Sequence, residues 1–227
     1  CADIECFMDL RDSVFTSNRG GPTVWAIFGS ATFTRLTFWG NTGGGIRKGA
    51  DMNVYGADAT ISECRFSDSR GGTGDAKDSG ALMAHGGSNL RVFDSTFEDT
   101  HAEGDGGAVA VTGGSNAEFI RTTFRRSEAD WGGIAAVKDE SSALFDQCVL
   151  SEGLCETGGG GIYSANSVIN FTRSRLKYCQ TANYGGGLAV FSASDIFIQD
   201  STFEFNEANT YGGDMHVTGG AHVDAVR

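Results

Sequence analysis

Apolar and polar residues alternate along most of this chain in short runs, and Gly, Asn, Asp or Ser closes nearly every run. A period of two in runs this short predicts β-strands joined by turns, and no window carries the spacing of an amphipathic helix. The runs also repeat. Eight segments share a bulky apolar residue, two variable residues, a small or thiol residue (Leu once), another variable residue, then Phe or Leu. They read LRDSVF ending at Phe15, FTRLTF at Phe38, ISECRF at Phe66, VFDSTF at Phe97, FIRTTF at Phe124, FDQCVL at Leu150, FTRSRL at Leu176 and IQDSTF at Phe203. Their end residues lie 23, 28, 31, 27, 26, 26 and 27 apart. About ten residues after most of them, a small-residue step leads into an apolar strand: SGALMA at 79–84, GGAVAV at 106–111, GGIAAV at 132–137, GGIYSA at 160–165, GGLAVF at 186–191 and GGDMHV at 212–217.

A helix-free unit of ~26 residues with two or three strands fits a single-stranded parallel β-helix, a solenoid of about eight coils stacked at the ~4.8 Å strand spacing. A propeller blade needs ~40–45 residues and a leucine-rich repeat a different leucine spacing. Stacking turns equivalent positions into ladders. Two residues before each anchor the ladder is Ser13, Leu36, Cys64, Ser95, Thr122, Cys148, Ser174, Ser201, which suits an inward turn that admits only short side chains. Three residues after the anchor it is Asn18, Asn41, Ser69, Thr100, Ser127, Gly153, Cys179, Asn206, groups that bond turn backbone at a corner. In the strands after the glycine step, Leu82, Val109, Ile134, Ile162, Leu188 and Met215 are expected to point inward. Met83, Ala110, Ala135, Tyr163, Ala189 and His216 are expected to point outward.

Composition sharpens this picture. The chain has 34 glycines but one proline in 227 residues, as expected where turns are tight and most backbone N–H groups bond from coil to coil. Its net charge of −12 repels nucleic acid and anionic lipid, and no run of apolar residues is long enough to insert in a bilayer. The six cysteines form no C-x-x-C pair, which argues against zinc. Cys64 and Cys148 share a column three coils apart, too far to bond. Cys155 and Cys179 lie on adjacent coils, offset by two positions, and are the expected disulfide, which would place the chain in an oxidising compartment. Cys1 and Cys6 pair with each other or with chain outside this sequence.

The repeats resemble those of polymorphic outer-membrane protein autotransporters, whose passenger domains alternate FxxN and GGA[ILV] motifs. FTSN at 15–18, FWGN at 38–41 and FEFN at 203–206 match the first, and GGAV at 106–109 the second. GGGI at 43–46 and 159–162 and GGGL at 185–188 are near variants. Similar repeats occur across pectate-lyase-like proteins. The resemblance implies an all-β, right-handed parallel β-helix, a cell-surface or secreted location and a role in adhesion. We expect residues 1–227 to form one such domain, part of a longer chain.

Chemistry was sought on the outward columns. The column at Met83 to His216 carries no carboxylate, Arg or Lys. Four residues before the inward positions the column runs Asp78, Asp105, Asp130, Gly158, Tyr184, Tyr211. Three aspartates on successive coils fit a row of solvated turn acids, a calcium site bridging coils, or the carboxylates of a glycan-cleaving enzyme. Tyr184 and Tyr211, with Trp131, fit either edge packing or a platform for a sugar ring. His85, His101, His216 and His222 form no ladder. Coil three carries two insertions, with Arg47 and Lys48 in one and Asp75 and Lys77 in the other, as a loop contact to protein or glycan requires.

The expected function is a non-enzymatic surface module in adhesion or scaffolding, with protein or glycan as partner and no cofactor beyond calcium. The alternative is a polysaccharide lyase, hydrolase or epimerase using Asp78, Asp105 and Asp130.

Overall fold

The computed structural model describes residues 7–43, 49–71 and 79–227. Within them all strand pairing is parallel and runs from coil to coil, so the chain winds as a solenoid with three faces. The first face holds Leu82–His85, Val109–Val111, Ala135–Lys138, Ile162–Ala165, Leu188–Phe191 and Met215–Val217. The second holds Asn89–Phe93, Asn116–Ile120, Ser142–Asp146, Val168–Thr172, Asp195–Gln199 and His222–Val226. Val24–Thr34 and Met52–Ser62 run through both faces as single strands. The third face carries the repeat anchors, among them Thr37–Trp39, Arg65–Ser67, Thr96–His101, Thr123–Trp131 and Val149–Ser151.

The anchors stack inside the rod. Phe15, Phe38, Phe66, Phe97 and Phe124 lie ring over ring at 4.4–5.0 Å with planes within 12°. Leu150, Leu176 and Phe203 continue the column in register. Each fully buried phenylalanine contributes about 1.5–3 kcal/mol from burial alone, and the offset stacking adds to it.

Beside this column the short-side-chain ladder closes a polar seam. The backbone N–H of Cys148 donates to Ser174 Oγ at 2.8 Å, and that of Ser174 to Ser201 Oγ at 3.0 Å. Each hydroxyl in turn donates to the carbonyl of a buried phenylalanine, Ser174 to Phe145 and Ser201 to Phe171. A longer side chain here would break both bonds. The second polar ladder also forms at a corner. Asn41 Oδ1 accepts from the N–H and the side-chain amide of Asn18, and Asn41 Nδ2 donates to Phe15 O and to Asp51 Oδ1. Asp51 is wholly buried, and Ser69 Oγ donates to its other oxygen. The coil at the far end repeats the pair in exposed form, Asn206 Nδ2 donating to Asp214 Oδ1 at 2.9 Å.

One corner of each coil is turned without glycine, and a second with glycine only at Gly40. Asp12, Arg35, Glu63, Asp94, Arg121, Gln147, Arg173 and Asp200 all adopt φ of 47–55° in one column. Bidentate arginine–aspartate bridges tie neighbours there, Arg35 to Asp12 and Arg121 to Asp94. Glycine governs the third corner. Gly132 has φ of 65°, and a Cβ on Gly133 would lie 2.3 Å from the carbonyl oxygen of Gly160 in the next coil.

These glycines correct the expected register by one residue. With the glycine pairs aligned, Val109 pairs with Ala135, not Ile134, and Ala110 with Ala136, not Ala135. Ile134 occupies the corner position equivalent to Ala108 and is also buried, which is why apolarity alone misplaced it. The expected disulfide is corrected as well. Cys155 and Cys179 are free, buried thiols, and the residue level with Cys155 on the next coil is Thr181, whose hydroxyl lies 3.3 Å from its sulfur. Cys179 instead donates to the carbonyl of Lys177, inside the corner ladder. Cys1, Cys6, Arg47, Lys48, Asp75, Lys77 and Asp78 lie outside the described residues.

Candidate functional site

The register shift breaks up the aspartate row. The column at Asp105 continues through Trp131, Gly158, Tyr184 and Tyr211. Asp130 sits one residue earlier, bonded through its N–H to Gly104 O, and its side chain is exposed. Partial burial holds its carboxyl above the usual range, with Glu156, Glu103 and Asp105 adding like charge. Asp105 is buried, and its carboxylate is paired with the Lys138 ammonium, whose side chain is only 12% exposed. Asp105 and Asp130 therefore do not form the stacked carboxylates that a bridging calcium needs. Among the described residues no group of three or more His, Cys, Asp or Glu is placed to hold a metal ion.

The structure does bring the aromatic residues together. On the first face the outward column is Trp25, Asn53, Met83, Ala110, Ala136, Tyr163, Ala189 and His216, and the next includes Ile27, Tyr55 and His85, then Lys138, Ala165 and Phe191. Tyr184 stacks on Tyr211 at 5.8 Å with planes 3° apart, and Tyr211 is 59% exposed. Trp131 does not meet that pair directly. It lies 4.8 Å from the Tyr163 ring and 6.1 Å from Phe191, and Phe191 lies 6.2 Å from Tyr184. His216 closes the group, 5.0 Å from Tyr184 and 5.6 Å from Phe191. Six rings from four coils thus form one outward platform. Tyr163, Phe191 and His216 were missed in the sequence as platform members because they come from different columns of the coil, and only the pleat of the sheet places them beside Trp131, Tyr184 and Tyr211.

Next to the platform the same face hollows into a trough of about 470 Å³, lined by Tyr55, His85, Asp105, Lys138, Asp139 and Tyr163, with Met83 and Ala110 as floor. The Lys138–Asp105 pair straddles the small-residue column, which explains how Ala110 and Ala136 are buried although they point outward. Asn53 lies beneath, its Nδ2 3.2 Å from His85 Nε2 and its buried Oδ1 without a hydrogen-bond partner. Burial pushes the Tyr163 hydroxyl up, and the Asp105 and Asp139 carboxylates push it further. The other two faces present mostly Thr, Ser, Asn, Arg, Asp and Glu outward, with Trp39, Phe197 and the stacked pair Tyr178–Phe205 as exposed rings away from the platform.

Comparisons with curated proteins and with solved structures gave no match. Residues 107–218 match the family model described as a right handed beta helix region, which together with the parallel register makes the architecture a right-handed parallel β-helix.

Proposed function

We propose that this chain is a non-enzymatic β-helix module of a cell surface or extracellular space, and that it holds a glycan against its first face in an adhesive or scaffolding role. The carrying observation is the contiguous platform of six outward rings on that face, Trp131, Tyr163, Tyr184, Phe191, Tyr211 and His216. Exposed rings on a rigid sheet offer flat apolar area to the C–H faces of sugars at little entropic cost.

The enzymatic alternative is less well supported by these residues. Glycosidic cleavage by acid and base needs two positioned carboxyl groups, and Asp105 is buried against Lys138 while Asp130 falls outside its column. Binding to a glycan panel, measured with the wild type and with Tyr184→Ala and Tyr211→Ala, tests the proposal: binding is expected, and each substitution weakens it about tenfold or more. Turnover of any glycan that Asp105→Asn abolishes would overturn it, as would binding indifferent to both tyrosines.

A further inference from the structure

The trough beside the platform has features of its own. From the level of Tyr55 to that of Ala165 it spans four coil spacings, about 19 Å, with a tyrosine ring towards each end. Three charged residues line it, Asp105, Lys138 and Asp139. The ammonium of Lys138 is committed to Asp105, so Asp139 is the charge left over. Thr112 Oγ1 donates to Asp139 Oδ2 at 2.6 Å and holds the carboxylate at the trough wall, where it is exposed.

Asp139 also sits at a left-handed turn. Asp139 and Glu140 both adopt left-handed φ, 56° and 61°. At this turn the preceding coils place glycine pairs, Gly86–Gly87 and Gly113–Gly114, while the coils that follow place Asn166 and Ser192, with φ of 51° and 60°, level with Asp139. Non-glycine residues in this region cost about 1 kcal/mol each, and Asp139 and Glu140 bear that cost in succession where the preceding coil has two glycines. The gain is a negative wall, to which the raised Tyr163 hydroxyl also responds.

We infer that this trough takes the protonated amino group of an amino sugar, with Asp139 as its carboxylate partner and the rings of Tyr55 and Tyr163 as end walls. The inference rests on the reading of the first face as a glycan surface and adds a preference: cationic over neutral, and neutral over uronic-acid chains. An ammonium against the Asp139 carboxylate gains ionic attraction, the tyrosine rings at the two ends offer flat apolar area to the sugar rings on either side, and a uronate meets Asp139 with like charge.

Calorimetric titration of the full chain with glucosamine, N-acetylglucosamine and galacturonate hexamers, and with oligolysine, tests it. The glucosamine hexamer is expected to bind about tenfold tighter than its acetylated counterpart. Asp139→Gly, which installs the residue the preceding coil carries there as Gly113, is expected to remove that preference while the melting temperature holds or rises. Equal binding of the acetylated or uronate oligomer, or a preference that survives Asp139→Gly, overturns the inference alone. Oligolysine binding as tightly as the amino sugar overturns it in favour of a basic protein segment. Failure of every glycan to bind overturns the surface reading with it.

Discussion

Replacing Asp51 with asparagine is expected to stabilise the rod at neutral and alkaline pH. Asp51 is fully buried at a corner, with the Asn41 amide and the Ser69 hydroxyl as its partners. Burial raises its carboxyl from 3.8 to about 7, against the opposing pull of the hydrogen bonds from Ser69 and Asn41. In the unfolded chain the proton leaves near the ordinary value, so between the two pH values folding must retain it. The stability linked to this group is therefore full below about pH 4 and falls by ~1.4 kcal/mol per pH unit above that. It levels off beyond about pH 7 at a deficit of about 4 kcal/mol. Asparagine reproduces the neutral acid: its oxygen accepts from Asn41 and its amide donates to Ser69 Oγ. Urea unfolding of wild type and Asp51→Asn, followed by circular dichroism from about pH 4 to 8, reads the difference directly, because other titrations cancel between the two. The curves should converge at the acid end and separate by up to about 4 kcal/mol at the alkaline end. Parallel curves, or a variant less stable than wild type at the alkaline end, would refute a neutral buried carboxyl.

Two further expectations concern the frame. Gly133→Ala forces a methyl group to 2.3 Å from Gly160 O and 2.6 Å from the Leu154 backbone, so the coils must part and the loss should exceed about 3 kcal/mol. Gly114→Ala meets nothing within 4 Å and bears only the strain of its φ of +72°, so thermal melts should show a loss of about 1 kcal/mol; equal losses would contradict the crowding argument. Burial pushes the thiols of Cys148 and Cys179 up to about 12, so alkylation of the native protein near neutral pH should leave both unmodified while denaturant exposes them. A non-reducing peptide map carrying a Cys155–Cys179 crosslink would instead restore the bridge the spacing suggested.

The coil was legible in the sequence because its constraints are local and repeated. The phenylalanine column, the serine and cysteine seam and the asparagine corner each recur at one coil position, and the structure stacks them as the spacing implies. The first face departs from the expected register by one residue, and Cys155 stands level with Thr181 instead of Cys179. Ile134 looked like the inward partner of Val109, yet the glycine pair, not apolarity, sets the register. That single step moved Asp130 out of the column and put Trp131 in. The corner turned by Asp, Arg, Glu and Gln at positive φ was hidden for a related reason: Asp tolerates left-handed backbone, but Arg, Glu and Gln do not announce it, and bonds to the coils above and below hold it there.

By itself, then, the sequence determined that this chain coils, roughly how often, and which residues fill the rod, since a repeat of period ~26 satisfies its backbone only by stacking on itself. Tertiary structure alone decided which outward side chains become neighbours. Those contacts join different columns on different coils, as when Lys138 reaches Asp105 or Phe191 bridges Trp131 and Tyr184, and the pleat and the corner glycines set them. A one-residue change in register is small along the chain, but it exchanges a carboxylate for an indole on the face where a ligand would lie.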